Sequence, residues 1–150
     1  MADVHDKKTR SYNASRIKGK NTTAELIVRK FLFANGFRYR LHAKKLDGKK
    51  INGKPDIVLS KYKTIVDVRG CFWHGHENCK FGASTDSKGY QKRIADAKKR
   101  DARNIIEWEK AGYKVLVIWD RCQLEDKKKK STVRKKTLLK LKEDILNSIP

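Results

Sequence analysis

The sequence contains few acidic residues, only three cysteines and no long apolar run. No stretch approaches the roughly 20 apolar residues that a membrane span requires, and the opening MADVHDKK lacks the apolar centre of a signal peptide. Because Cys71, Cys79 and Cys122 form an odd set, a disulfide framework is disfavoured and reduced thiols are expected. These features predict no membrane role and a cytoplasmic location.

The scarcity of acidic residues leaves the chain strongly basic. Its 150 residues include 38 Lys and Arg against 17 Asp and Glu, which gives a net charge of +21. Such a field attracts polyanions and speeds encounters with them. Nucleic acid is therefore the expected partner, although a ribosome-associated or simply basic protein would carry the same charge. The length fits one domain over residues 1–150, so recognition and chemistry would share one scaffold.

The N-terminal part of the chain predicts an arm followed by a helix. Residues 1–20 are polar and basic without a sustained period, and we expect them to form a flexible DNA-binding arm. Thr22 or Thr23 can then cap a helix through ELIVRKFLFANG, which Gly36 would end. The apolar face expected for this helix consists of Leu26, Ile27, Phe31 and Leu32.

Alternating and continuous apolar runs predict the strands. Residues 37–42 (FRYRLH) alternate like a strand, 44–54 suit a basic loop with two glycine turns, and 56–68 fit a hairpin of two short strands. KVLVIW at 114–119 is apolar almost throughout, which is typical of a strand covered on both faces and predicts a central place in the sheet. A polar helix over about 88–111 precedes it, and its buried side would come from Ile94, Ile105, Ile106 and Trp108.

The C-terminal part is basic and ends in a predicted helix. Residues 127–142 carry nine basic side chains and no acidic one, which suits either a phosphate-binding tail or a solubilising one. The apolar positions of an amphipathic last helix are Leu138, Leu139, Leu141, Ile145 and Leu146. We therefore expect a basic tail and a C-terminal helix over residues 127–150 of a single α/β domain.

Two acidic motifs predict a metal-dependent cutting site. Pro55-Asp56 opens the first strand of the hairpin and Asp67-Val68-Arg69 closes the second, so both carboxylates would meet at one end of a sheet. Oxygen ligands hold hard cations such as Mg²⁺, which activate water for phosphodiester hydrolysis. The spacing resembles that of PD-(D/E)xK nucleases. It implies a restriction-endonuclease-like fold with a central mixed sheet, and Mg²⁺ on Asp56 and the Val68 backbone carbonyl; aspartates at ordinary turns are the alternative.

Glu25 and His74 are further candidates for this site. Glu25 lies in the first turn of the predicted helix, where the helix dipole favours an acidic residue, but a helical glutamate that faces the sheet would be a third carboxylate. His74 follows the second acidic motif, and a neutral imidazole there suits general-base chemistry, with metal ligation as the alternative. His5 and His42 have no comparable neighbours in the sequence, and we expect them at the surface or in loops.

A cluster of cysteine and histidine residues predicts a structural zinc site. Structural zinc takes four tetrahedral nitrogen or sulfur ligands, and we assign Cys71, His76, Cys79 and Cys122 to that set. The spacing between the first three is compact and differs from that of a standard zinc finger, so buried free thiols are the alternative.

Longer strings identify the family that the chain resembles. GKPD at 53–56 and GCFWHGH at 70–76 occur in this order and are followed by Cys79. SRIKGKNTTAE near the start, the pair Arg100-Asp101, and GYKVLVIW before a cysteine extend the likeness to about residue 122. The chain thus resembles the very short patch repair (Vsr) endonucleases, which nick DNA beside T:G mismatches left by deamination of 5-methylcytosine.

The resemblance implies particular roles for several residues. It implies Asp56 as a magnesium ligand, Glu25 as an acidic helper, His74 as a catalytic histidine and the four zinc ligands named above. It also implies that Phe72 and Trp73 wedge into the duplex beside the mismatch, where unstacking costs less than in paired DNA. The predicted basic helix would add DNA contacts from Tyr90, Lys92 and Arg93.

The expected partner is double-stranded DNA with a T:G mismatch. A nick in one strand needs one active site, so a monomer is the simpler expectation, with contacts to mismatch-repair proteins as further partners. The cytoplasmic enzyme would associate with the bacterial nucleoid when it is bound to DNA.

The chain also departs from the family pattern. Arg69 stands where the family commonly has histidine, Asp67 where the family is often apolar, and Tyr90 where a tryptophan is usual, while Cys122 falls one residue later than expected. Together Asp67 and Arg69 approach the general PD-(D/E)xK arrangement, in which Arg69 would stabilise the pentavalent phosphate. Two alternatives to mismatch nicking therefore remain: a restriction-type endonuclease that cuts intact duplex, and a zinc-containing DNA-binding module whose cutting site has decayed.

Overall fold

The computed structural model describes residues 22–72, 74–77, 79, 87–124 and 131–147. The expected arm, Trp73 and the first part of the basic tail lie outside these ranges. Within them, a short 3-10 turn and nine regular elements follow one another along the chain. They are α1 (Thr23–Ala34), β1 (Arg40–Leu41), β2 (Lys45–Leu46), β3 (Lys49–Lys50), β4 (Ile57–Leu59), the turn Ser60–Tyr62, β5 (Thr64–Arg69), α2 (Lys88–Lys110), β6 (Lys114–Trp119) and α3 (Ser131–Leu146).

A four-stranded mixed sheet in the order β1-β4-β5-β6 forms the centre of the fold. The strands β1, β4 and β5 are antiparallel neighbours, whereas β5 and β6 are parallel. The hairpin expected between residues 56 and 68 is confirmed, with Ile57 opposite Val66. The central place expected for KVLVIW was wrong, because β6 is the edge strand of this sheet in the described part of the chain. An apolar run reports cover on both faces of a strand, and it does not report neighbours on both sides.

Helices cover the two faces of the sheet. Ile57 and Val66 pack with α1 and α3 on one face, whereas Val58 and Ile65 pack with α2 on the other. This division follows from the strand geometry, since successive side chains of a strand point to opposite faces. The described residues therefore form a mixed α/β domain with a central sheet and three helices. None of the helices in the ranges described is both long and apolar enough to cross a bilayer.

The first helix begins as expected, and three of the four residues predicted for its apolar face, Ile27, Phe31 and Leu32, lie in or against the core. The Thr22 side chain caps it by accepting a hydrogen bond from the Glu25 backbone N–H at 3.2 Å. Its buried residues are Glu25, Val28 and Leu32. Leu26, which we expected on the apolar face, is 37% exposed. Residues 25, 28 and 32 are the most deeply buried positions and have helical spacing. The sequence did not predict this face because one of its positions is the acidic Glu25.

The second helix confirms its expected bounds, with one error on its buried side. Ile94 and Trp108 are buried, together with Ala97, but Ile106 is 54% exposed. Two residues before Trp108 is about 200° around the helix, which turns Ile106 to the solvent side. In α3 the same period separates the buried positions from two exposed leucines: Leu138, Leu141 and Ile145 are buried, and Leu139 and Leu146 are exposed.

The basic segment 44–54 is not a simple loop, since β2 and β3 pair within it as a short hairpin. Leu46 in this hairpin is buried against Trp108 and Tyr113. The Trp108 indole N–H also donates to the Asn52 carbonyl at 3.1 Å. These contacts fix the hairpin against α2 and the strands that follow it.

We expect Ile65→Ala to lower the free energy of unfolding by about 2 to 5 kcal/mol, because Ile65 is fully buried on the central strand and its truncation leaves a cavity. The matched control is Ile106→Ala, which should change it by less than about 0.5 kcal/mol, since that side chain faces solvent. Urea unfolding followed by circular dichroism measures both. Equal losses from the two variants would contradict this arrangement of α2.

Candidate functional site

The four strands β1, β4, β5 and β6 each begin or end along one border of the sheet, here called the sheet edge. The parallel strands β5 and β6 both end there, at Arg69 and Trp119, and β4 begins there because it is antiparallel to β5. As a result Asp56, just before β4, accepts a hydrogen bond at Oδ2 from the Val68 backbone N–H at 2.8 Å. His42, just after β1, donates its backbone N–H to the Asp56 carbonyl at 3.1 Å.

A carboxylate and imidazole group lies at this edge. One ligand atom from each of Glu25, His42 and Asp56 lies within 4.8 Å of the others. Glu25 is buried, and its Oε1 lies 2.8 Å from Nε2 of His42 while its Oε2 lies 3.5 Å from Nη1 of Arg29. His42 lies in the bend after β1, as expected for a loop residue, but it has neighbours that the sequence did not predict: its imidazole contacts Glu25 and its backbone N–H contacts Asp56. These three side chains could hold a divalent cation.

Burial strongly perturbs Asp56. Removal from water raises the pKa of this carboxyl to about 9, and the negative charges of Asp67 and Glu25 add to the effect, against the Val68 N–H, which favours the ionised form. A group of carboxylates in this state binds either protons or a cation. The electrostatics therefore suit a metal site at Asp56.

A second network connects the remaining catalytic candidates. Nε of Arg69 lies 3.0 Å from Oδ2 of Asp67 and 4.0 Å from Oδ2 of Asp101. Nδ1 of His74 lies 2.7 Å from the same Asp101 oxygen. The Arg69 side chain is 8% exposed, and its buried Nη2 has no hydrogen-bond partner in the part of the chain that the structure describes. An arginine with an unpaired N–H can donate a hydrogen bond to an anionic ligand such as a phosphate oxygen.

Gly75 allows the loop that carries His74 to approach α2. A Cβ atom at Gly75 would lie 2.4 Å from Cε of Lys98 and 2.7 Å from Cγ2 of Ile94. Its φ of +60° is a further reason for glycine. This close approach brings His74 within hydrogen-bond distance of Asp101 on the helix.

The cysteine and histidine residues form a compact cluster beyond the sheet edge. One ligand atom from each of Cys71, His76, Cys79 and Cys122 lies within 4.8 Å of the others. Parallel pairing of β5 and β6 explains this, because Cys71 and Cys122 follow the adjacent ends of the two strands. Sγ of Cys122 lies 3.7 Å from Sγ of Cys71 and 3.4 Å from Nδ1 of His76. Three sulfurs and one imidazole are a donor set for a tetrahedral metal ion.

Without a cation these thiols resist ionisation. Burial raises the pKa of Cys71. Burial also raises the pKa of Cys122 to about 12, and the neighbouring Cys71 thiol contributes to this shift. A bound metal reverses this effect, since thiols deprotonate when they coordinate. The His76 ring stacks on Trp119 with centroids 4.0 Å apart, and this contact fixes the orientation of the imidazole beside the thiols.

The residues expected to touch DNA lie beside the site where the structure describes them. Phe72 and Tyr90 meet edge to face with ring centroids 6.2 Å apart. Lys92 and Arg93 are exposed on α2, while Trp73 lies outside the described residues. Next to them is an open cleft lined by His74, Arg93, Asp96, Ala97 and Arg100. The cleft brings basic side chains next to the imidazole.

Asp101 and His42 were not identified as site residues from the sequence. Asp101 shares the buried side of α2 with Ile94, Ala97 and Trp108, at helical spacing, so its position could have marked it as facing inward. No comparable pattern marks His42. Its contact with Glu25 depends on how β1 pairs with β4, which a short two-residue strand does not reveal.

Comparison with known proteins gives a consistent result. A family model described as DNA mismatch endonuclease Vsr matches residues 2–80. The type II nicking enzyme V.NmeAIP of Neisseria meningitidis is 43% identical over 85% of this chain and 87% of its own length. The DNA mismatch endonuclease Vsr of Escherichia coli is 33% identical over 86% of this chain and 80% of its own. The type II nicking enzyme V.XorIIP of Xanthomonas oryzae is 35% identical over 84% and 89%.

The raised pKa of Asp56 leads to a pH-dependent stability. Between its usual pKa and about 9 the unfolded chain releases a proton that the folded chain keeps, so this carboxyl lowers the free energy of unfolding as pH rises through that window. We expect Asp56→Asn, which retains an acceptor for the Val68 N–H, to raise the free energy of unfolding by about 1 to 3 kcal/mol at pH 8 and by little at pH 4.

Urea unfolding at both pH values, without added magnesium or manganese, measures this difference. The control is Asp47→Asn, at an exposed carboxyl whose pKa is lowered by its hydrogen bond to Lys63, and that variant should not stabilise the protein at pH 8. An Asp56→Asn effect of the same size at both pH values would refute proton uptake by the buried carboxyl as its origin.

Proposed function

Because the chain belongs to the Vsr family of DNA mismatch endonucleases, we propose that it nicks one strand of duplex DNA beside a T:G mismatch, with Mg²⁺ or a similar divalent cation. The observation that carries the proposal is the continuous set of contacts at the sheet edge, from Asp56 through Asp67, Arg69 and Asp101 to His74. It unites oxygen ligands, a phosphate-binding donor and a base, which are the groups that phosphodiester hydrolysis requires.

The metal ligands proposed are Asp56, Glu25 and the Val68 backbone carbonyl. A divalent cation held there would lower the pKa of water and neutralise charge that develops on the phosphate. The raised pKa of Asp56 supports this assignment, because this carboxylate is costly to keep ionised without a cation, and Glu25 beside it offers a second oxygen donor.

His74 is the proposed base. When its Nδ1–H donates to Asp101, Nε2 is the atom left to take a proton from the attacking water. Asp101 would act as a positioning residue that fixes the ring orientation and the tautomer. Arg69, with its unpaired buried Nη2, would donate to the scissile phosphate in the role that PD-(D/E)xK nucleases give to lysine.

DNA recognition is proposed for the surface next to the cleft. Phe72 and Tyr90, with Trp73, would stack on or separate the bases at the mismatch, where unstacking costs least. Lys92 and Arg93 would contact phosphates, as would the arm over residues 1–20 and the basic tail. We propose that the protein acts as a cytoplasmic monomer, with mismatch-repair proteins as further partners.

Zinc is the ion proposed for Cys71, His76, Cys79 and Cys122. Thiolate and imidazole ligands suit zinc, and four protein ligands leave no open position for catalysis. The role proposed is structural: the ion would tie the loop after β5 to the loop after β6. Since His74 lies within the same loop, that connection would also hold the base.

We expect magnesium-dependent nicking of a duplex with a central T:G pair and no cutting of the same duplex with C:G. Asp56→Asn should abolish the nick, and His74→Asn should slow it by about 10²- to 10⁴-fold, because each removes a group that acts on the reacting atoms. Strand-specific end labels and denaturing gels measure the rates, while gel-shift titration measures DNA binding, which both variants should retain.

The control variant is Asp47→Asn, an equivalent change on the β2–β3 hairpin, which should nick at the wild-type rate. Cutting of both duplexes would favour a restriction-type endonuclease, the candidate to which the contact between Asp67 and Arg69 lends support. Binding without any cutting would indicate a DNA-binding module instead.

We expect the purified protein to contain about one zinc ion, and Cys122→Ser to lose it together with several degrees of melting temperature. Elemental analysis and thermal unfolding measure the two effects. A strong chelator should lower the melting temperature of the wild type but not that of Cys122→Ser, which serves as the internal control. A metal-free wild type of unchanged stability would remove the zinc assignment.

A further inference from the structure

His42 adopts a backbone conformation that is uncommon for residues other than glycine. Its φ is +48°, in the left-handed region that favours glycine and asparagine. Such a conformation costs about 1 kcal/mol or more and persists where the surroundings impose it. In this protein the imposed contact is the hydrogen bond from the His42 N–H to the Asp56 carbonyl. The bend turns the end of β1 so that the imidazole points to the acidic pair.

The His42 imidazole shares the carboxylate site as a potential ligand and not as a distant neighbour. Its Nε2 lies 2.8 Å from Oε1 of Glu25, with side-chain exposures of 17% and 3%. A ligand atom of Asp56 completes the group within 4.8 Å. One nitrogen and two carboxylates from three separate elements therefore converge on one point.

This donor set differs from the one that Mg²⁺ prefers. Magnesium binds oxygen ligands and water in strict octahedral geometry, whereas imidazole suits first-row transition ions. Mn²⁺ accepts carboxylate oxygen and imidazole nitrogen together, binds such sites more tightly than Mg²⁺, and still supports hydrolysis. We propose that Nε2 of His42 is a further protein ligand, beside Glu25, Asp56 and the Val68 carbonyl, and that it makes this site select Mn²⁺ over Mg²⁺.

The proposal deepens the proposed nuclease site, on which it rests. Its competitor is a purely structural role, in which His42 only orients Glu25 through their hydrogen bond. The two roles differ in what they do to metal selectivity. Loss of an orienting contact lowers the affinity of the site for every cation that Glu25 binds, whereas loss of a nitrogen ligand lowers the affinity for Mn²⁺ specifically.

His42→Asn separates these roles. Asparagine tolerates the left-handed backbone, so the fold should persist, and its amide offers an oxygen that Mg²⁺ can use in place of the nitrogen. The matched control is Lys63→Asn, at an exposed residue with the same φ of +48°. Thermal unfolding should show both variants folded.

The measurement is titration of the zinc-loaded, DNA-free protein with Mn²⁺, followed by loss of the free-ion electron paramagnetic resonance signal, and with Mg²⁺ by calorimetry. We expect the wild type and Lys63→Asn to bind Mn²⁺ at least about tenfold more tightly than Mg²⁺. His42→Asn should lose about tenfold or more in Mn²⁺ affinity and less than about threefold in Mg²⁺ affinity. Equal losses for both ions, or a wild type without preference, would overturn the proposal.

Pulsed electron paramagnetic resonance of bound Mn²⁺ gives a second readout, since a coordinated imidazole adds a nitrogen coupling. The coupling should be present in the wild type and Lys63→Asn and absent in His42→Asn. A coupling that persists in His42→Asn would assign the nitrogen to another residue and contradict the inference. Because neither readout uses DNA, a protein that shows this selectivity but does not nick T:G duplex would sink the proposed function alone.

Discussion

Parallel pairing of β5 with β6 is the constraint on which the rest of the structure depends. Parallel strands end at the same edge, so the chain leaves Arg69 and Trp119 side by side, and the loop connections Asp120 N–H to Arg69 carbonyl and Cys71 N–H to Asp120 carboxylate tie the two exits together. Antiparallel pairing of β4 then brings Asp56 to the same edge. The sulfur cluster and the carboxylate site are two consequences of one strand arrangement.

The electrostatics at this edge oppose stability and favour function. Burial raises the pKa of Asp56 to about 9, so keeping this carboxylate ionised costs stability at neutral pH. Such destabilised groups are typical of sites that await a ligand. Arg69 adds a buried donor with no partner in the described residues. The surrounding core of β5, whose Ile65 and Val66 are fully buried, supplies the stability that holds these groups together.

The sequence predicted most of the helices and strands but not the contacts between them. The Pro55-Asp56 hairpin, the Thr22 cap and the close set of Cys71, His76 and Cys79 follow from local patterns, because capping, turn and ligand spacing act over a few residues. Cys122 joins that set only through the pairing of β5 with β6. Strand order does not follow from local patterns, which is why KVLVIW was expected at the centre and lies at an edge. His42 shows the same limit, since its approach to Glu25, 17 residues away, depends on sheet register and a left-handed backbone.

The two candidate metal sites, the sulfur cluster and the carboxylate group, differ in the chemical softness of their donor atoms. Sulfur donors lie after the ends of β5 and β6, and carboxylates lie beside the start of β4, with the Asp67 and Arg69 pair between them. The sulfur cluster suits a softer ion than the oxygen-rich group does, although each of the two also contains an imidazole. The loop that carries Cys71, His76 and Cys79 also carries His74, which contacts Asp101 in the network beside the carboxylates. Loss of the proposed ion from the sulfur cluster would thus release the His74 imidazole while the carboxylates stay in place, so the cluster would control the geometry of the proposed base without contact with the reacting atoms.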